Sequence, residues 1–180
     1  MPTITLLRDD RGLVAAAVTE GRTLLSTSVG CDERRTMIYA IKRSGREARL
    51  ARDDFGLEVC SKLLKAARGE PVKFNYRLNL ARLSPLTKKV LKLVREVPRG
   101  EVVDYAEIAK RAGTHPRAVG RILSLNPYPL VVPCHRVVMA NGRLGGYSLG
   151  RRLKARILKA EGVKIDDKLQ RVEESAYRGG

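Results

Sequence analysis

The chain has 180 residues, 43% of them hydrophobic, with no Trp and three Cys, a composition suited to a soluble globular protein of one or two small domains. No window approaches the run of about 18 uncharged apolar residues that a spanning helix needs, and the acids Asp9 and Asp10 come too early for a secretory signal. Secretion and membrane insertion are excluded on this reading, and a cytoplasmic location is expected. Thirty-six Lys and Arg against 19 Asp and Glu leave a formal net charge of +17, which calls for a polyanionic partner, most commonly nucleic acid.

That charge is uneven: residues 1–80 hold 15 basic and 10 acidic side chains, whereas residues 81–180 hold 21 and 9. A thermophile's charged surface is the plain alternative, and a single Gln fits such an origin, but thermophile surfaces mix both signs. Cys31, Cys60 and Cys134 show no CxxC pairing, and His115 and His135 are the only histidines. No metal and no cofactor are expected. Cys31 and Cys60 read either as a disulfide tolerated in a hot cytosol or as two buried small hydrophobes.

Residues 3–29 alternate apolar stretches with turn signals at Asp9-Asp10-Arg11-Gly12 and Glu20-Gly21-Arg22, which predicts a three-stranded antiparallel meander. Apolar spacing over 46–67 predicts one or two helices around Gly56, and 72–80 alternates as a further strand. A small α+β domain over 1–82 is expected. Ser84-Pro85 then opens a helix that Pro98-Arg99-Gly100 stops, and a second, mostly helical domain is expected over 83–168, with 169–180 as a flexible tail.

Asp104 and Glu107 have capping-box spacing, so 105–112 should be a short helix stopped by Gly113, and Pro116 starts another that runs to Asn126-Pro127. Two short helices joined by a Gly-containing turn, the second carrying Arg117 and Arg121, make a helix-turn-helix candidate. Next, 130–139 reads as a buried strand delivering Cys134 and His135 into a loop-rich corner, followed by the Asn141-Gly142 turn and a glycine-rich stretch to Ser148. A last helix, about 151–160, would bury Leu153, Ile157 and Ala160.

A thiol is mostly protonated at neutral pH and needs a base to act as a nucleophile. His135 is the candidate base, through a bridging water because neighbours on a strand point to opposite faces. Glu161 is the candidate acid to orient it.

Pro133-Cys134-His135-Arg136-Val137 resembles the signature of the O6-alkylguanine-DNA alkyltransferases, or methylated-DNA–protein-cysteine methyltransferases. Gly100-Glu101-Val102-Val103 with Tyr105, Arg117-Ala118-Val119-Gly120, Asn126-Pro127, Gly146-Tyr147-Ser148 and 158–162 follow in that family's order. About 80 residues, from Ser84 to Gly162, are covered; the N-terminal half matches in size and α+β character only.

The resemblance implies repair of duplex DNA containing O6-alkylguanine, and by extension O4-alkylthymine. The alkyl group would pass irreversibly and once per molecule to Cys134 after the nucleotide has been flipped out. His135 and Glu161 would activate the thiol, Asn126 would tie the helix-turn-helix to the active-site strand, and Tyr105 would meet the flipped base. Val137, Tyr147 and Ser148 would bind the substrate. Arg117 would enter the vacated stack, Ala118 and Gly120 would allow minor-groove approach, and Arg121 and Arg151, with Arg152 and Lys154, would neutralise phosphates. A monomer in an archaeal or bacterial, thermophilic cytoplasm is expected. The competing readings are a non-catalytic DNA-binding sensor with a structural Cys134, and a thiol hydrolase on Cys134, His135 and Glu161. Neither explains both the motif and the basic half.

Overall fold

The structure is a computed structural model and describes residues 1–168 and 170–177. It is an α+β protein whose chain divides into two compact units: residues 1–67, 71–82 and 127–131 form the first, and 68–70, 83–126 and 132–180 the second.

In the first unit, β1 (Thr3–Arg8), β2 (Val14–Glu20) and β3 (Thr23–Gly30) form the antiparallel meander. Asp9 makes the first turn by accepting the N–H groups of Arg11 and Leu13 on Oδ1. Alternation along the strands splits two apolar faces. Ile4, Leu6, Ala16 and Val18 pack against α1 (Glu33–Ser44) through Ala40. The edge strand β4 (Arg49–Leu50) runs parallel to β1. The other face carries Thr5, against which α2 (Asp54–Ala67) lies so closely that a Cβ on Gly56 would stand 2.3 Å from Thr5 Oγ1. The sheet ends at β5 (Arg77–Leu78), parallel to β3, in the order β4-β1-β2-β3-β5.

Two readings of this half need correction. Only Arg77 and Leu78 of the expected strand over 72–80 pair with β3, because the β3 edge further along is taken by 127–131: Thr27 donates its N–H to Pro127 O at 2.8 Å and its Oγ1 to Pro129 O at 2.9 Å. Cys31 and Cys60 are both free thiols, with Cys60 buried but Cys31 exposed. Helix α1 was not anticipated.

The second unit begins with α3 (Pro85–Arg95), capped by Ser84 and burying Val90, Leu91 and Val94. Then come β6 (Val103–Asp104), α4 (Tyr105–Ala112) and α5 (Pro116–Ser124). Asp104 caps α4 by accepting the Glu107 N–H, and Gly113 ends it at φ 73°, a conformation that favours glycine. β7 (Val137–Val138) runs parallel to β6. α6 (Arg151–Ala160) and the hairpin of β8 (Ile165–Asp166) and β9 (Arg171–Val172) follow.

This half also departs from expectation in three places. Cys134–Arg136 is a turn of 3₁₀ helix instead of strand, so pairing begins only at Val137. Helix α6 buries Lys154, Ile157 and Leu158, while Leu153 is half-buried and Ala160 exposed; its inward stripe includes a lysine that the apolar pattern passed over. Residues 170–177, expected within a tail, are built into this unit: Val172 and Ala176 join the core of Val102, Val138, Leu144 and Leu158, and Val102 donates its N–H to Ala176 O at 2.7 Å. Leu169 and 178–180 lie outside the described residues.

Candidate active site

Cys134 is delivered by a tight local turn. Pro133 sits at φ −76°, ψ 60°, and Cys134 donates its N–H to Val132 O at 2.7 Å, which is an inverse γ-turn with the proline ring presetting φ at its centre. The following 3₁₀ turn then swings His135 and Arg136 toward the end of α6, so adjacent residues reach one carboxylate instead of opposite faces. Asn126, buried just beyond α5, donates Nδ2 to Val132 O at 3.3 Å and to Cys134 Sγ at 3.2 Å. It thereby ties the end of α5 to the cysteine turn.

His135 and Glu161 are almost fully buried, with His135 Nε2 3.1 Å from Glu161 Oε1. Burial alone would raise the Glu161 carboxyl, but the bonds from His135 and Arg136 outweigh it and hold the group at about 2. Glu161 is therefore ionised and can only accept, which places the imidazole proton on Nε2. Burial also pushes His135 below its ordinary value despite the carboxylate. Its Nδ1 is thus a lone-pair nitrogen, buried and without a protein hydrogen-bond partner among the described residues. The imidazole is a neutral base held in one tautomer.

In the sequence Arg136 stands out only as part of the Pro133–Val137 motif. It grips Glu161 with two bonds, Nε to Oε2 at 3.0 Å and Nη2 to Oε1 at 2.7 Å, and gives Nη1 to Val97 O at 2.8 Å. An i, i+1 pattern on a presumed strand could not have signalled it.

Cys134 also lines a cavity of about 680 Å³ with Tyr105, Arg117, Gly120, Met139 and Ser148. Tyr147 and Gly145 complete its loop side. Gly145 adopts φ 67°, and a Cβ there would stand 3.2 Å from Met139 Cγ, so the loop's path needs a residue without a side chain. Burial, then the neighbouring cysteine, raises the Tyr105 phenol, which keeps it a protonated donor. Burial likewise raises the Cys134 thiol, against the lowering effects of Asn126 and Lys154. The resting residue is a thiol that needs its proton taken.

The remaining candidates are distributed differently. Val137 is buried in β7, where its carbonyl accepts Lys154 Nζ at 2.7 Å. Arg117 and Arg121 are exposed on α5, with Ala118 and Gly120 half-buried beside them, and Arg151 is exposed at the first turn of α6. Arg152 is exposed as well, but Lys154 is wholly buried. It is not available to a phosphate.

Residues 85–163 match the family model described as the DNA binding domain of 6-O-methylguanine DNA methyltransferase. The methylated-DNA–protein-cysteine methyltransferase of Saccharolobus solfataricus is 44% identical over 118 residues, spanning 65% of this chain and 77% of that protein. Its counterpart from Methanothermobacter thermautotrophicus is 48% identical over 79 residues, 44% of this chain and 45% of that one. The crystal structure of the O6-methylguanine-DNA methyltransferase of Pyrococcus kodakaraensis superposes with a TM-score of 0.73 at 31% identity, covering 91% of this chain and 100% of the other. Mycobacterium tuberculosis OGT in complex with DNA gives 0.72 at 28% identity, covering 88% and 92%. Spanning 77% of an archaeal relative at 44% identity and 91% of this chain in the structural match, the likeness shows that the chain belongs to the methylated-DNA–protein-cysteine methyltransferase family.

Proposed function

We propose that this protein repairs duplex DNA by taking the alkyl group from O6-alkylguanine onto Cys134, once per molecule, after the damaged nucleotide has been flipped into the cavity. The observation that carries the reading is the placement of Cys134 on the wall of an apolar cavity beside a phenol and a serine, next in sequence to a neutral imidazole that is paired with an ionised carboxylate. A soft thiolate can displace guanine in line. The bond from Sγ to the alkyl carbon forms as the carbon–O6 bond breaks, O6 takes the electron pair, and the thiol proton, passed through His135, ends on the released base. Tyr105 and Ser148 serve as the donors that meet the developing charge on the purine, and Val137 and Tyr147 complete the substrate-binding set. A thioether does not hydrolyse, so the protein is consumed. O4-alkylthymine presents the same alkyl–oxygen bond on a smaller ring and is a second substrate on this reading.

Helices α4 and α5 act as a helix-turn-helix whose small residues Ala118 and Gly120 enter the minor groove, with Arg117 filling the place of the flipped base. Arg121 and Arg151 bind phosphates, giving affinity that depends on salt and hardly on sequence. Intact mass after incubation with duplex DNA carrying one O6-methylguanine tests the chemistry. A gain of one methylene equivalent on the Cys134 peptide is expected, and none in Cys134→Ala. Multiple turnover, or modification at Cys31 or Cys60 instead, overturns it.

A further inference from the structure

Lys154 has no exposed surface, yet among the described residues its side chain pairs with no carboxylate. Its Nζ donates to Val137 O at 2.7 Å and to Leu144 O, the first in β7 and the second at the start of the glycine-rich loop that carries Tyr147 and Ser148. Two carbonyl dipoles do not neutralise a buried ammonium, and burying an unpaired charge is costly. The nearby buried carboxylate is committed elsewhere, since Glu161 is paired with Arg136 and oriented on His135. With Arg136 cancelling Glu161 and His135 neutral, the cluster carries one excess positive charge while Cys134 is a thiol. A thiolate there brings it to neutrality.

From this charge balance and these two bonds we propose that Lys154 is the counter-ion that favours the Cys134 thiolate, and also the tie that fixes the active-site strand to the substrate-binding loop. The electrostatics agree in direction from both partners. Burial lowers the Lys154 ammonium to about 8, with the cysteine raising it and Arg151 lowering it; Lys154 in turn lowers the Cys134 thiol against burial. The other titratable and charged groups around the pair are His135, Arg136, Glu161 and Tyr105. Lys154 is a positioning residue, acting through the thiol and through two backbone carbonyls. The proposal rests on the alkyl-transfer reading for the importance of a thiolate, but the thiolate and lysine titrations that decide it do not.

The test is the thiolate absorbance of Cys134 near 240 nm as a function of pH in a Cys31→Ser background, where Cys60 stays silent because burial raises it to about 12. In Lys154→Met the midpoint should rise by about one unit or more, meaning about tenfold less thiolate at a given pH. Lys154→Arg, which keeps the charge, should stay near the parent midpoint. Above both midpoints, the Lys154→Met reaction with free O6-benzylguanine should recover toward the parent rate. An unchanged midpoint in folded Lys154→Met overturns the proposal. Should that variant not fold, the Lys154 side-chain titration followed by NMR decides, before and after Cys134 is capped as a neutral methyl disulfide by methyl methanethiosulfonate. Capping should lower the ammonium midpoint, and an unmoved one overturns the counter-ion role. A shifted midpoint without transfer from O6-alkylguanine would overturn the repair reading alone.

Discussion

Arg136 and Glu161 form a bidentate pair, Nε to Oε2 at 3.0 Å and Nη2 to Oε1 at 2.7 Å, so the carboxylate that orients His135 is itself fixed in its plane by the next residue in the chain. A planar fork on a carboxylate adds direction as well as charge. It leaves Oε1 aimed at His135 Nε2 and decides which imidazole nitrogen faces away.

Arg136→Met should therefore slow alkyl transfer by about tenfold or more, the scale of a misoriented base. Arg136→Lys should recover only part of this, because an ammonium supplies charge without the fork. The observable that separates orientation from folding is the acid limb of the pH–rate profile. Without Arg136 the Glu161 carboxyl loses two of the three hydrogen bonds that hold it at about 2, so the limb should move to higher pH. An unmoved limb with full activity would show that Arg136 only packs against Val97.

The same group links stability to pH. Glu161 is lowered from an ordinary 4.5 to about 2 in the folded protein, so its contribution is complete above about 4.5 and disappears as pH falls through about 2. It amounts to roughly 3 kcal/mol. His135, also lowered, acts in the same direction: the unfolded chain takes up that proton first as pH falls below 6.5. Unfolding by urea should thus show stability declining from about pH 6.5 downward, most steeply between 4.5 and 2. In Glu161→Gln the lower part of that decline should flatten.

Where apolar periodicity and caps agreed, the sequence was informative. The meander, α4 with Asp104 and Gly113, and α5 from Pro116 are all local patterns that packing reinforces. Helix α1 escaped because its apolar positions are few among Arg34, Arg35, Lys42 and Arg43, leaving Asp32 and Gly45 as the only signals. At the site, the motif exposed Cys134, His135 and Glu161, since their residue types announce chemistry. Arg136 and Lys154 did not, because a basic residue in a chain of net charge +17 reads as surface until burial is known. The presumed strand at 134–136 hid the turn that lets neighbours converge on one carboxylate.

Gly145→Ala should destabilise the protein by about 1–2 kcal/mol, because it adds a Cβ at φ 67° and 3.2 Å from Met139 Cγ. The loop holding Tyr147 and Ser148 would have to shift, so transfer should slow as well. Combining it with Met139→Ala removes the contact but not the backbone strain. The double variant should therefore recover part of the activity and little of the stability, read by urea unfolding and single-turnover rate together.

Arg117 stands at the cavity rim on the first turn of α5, exposed, with its N–H directed to the Nδ1 of the capping His115 at 3.3 Å. Its backbone is thus fixed, while its guanidinium is exposed and makes no ion pair among the described residues. If it occupies the space of the flipped nucleotide, its loss removes part of the few kcal/mol that hold a base extrahelical. Arg117→Ala should then slow repair in duplex DNA by about tenfold or more while leaving the reaction with free O6-benzylguanine within about twofold, since a free base needs no flipping. Arg121→Ala and Arg151→Ala should instead lower DNA affinity and reduce the slope of log affinity against log salt by about one each. Arg117 belongs with that second group if its removal changes the salt slope equally and spares the single-turnover rate at saturating DNA. It belongs to the chemistry or its scaffold if the free-base reaction falls as far as the duplex reaction in a folded variant.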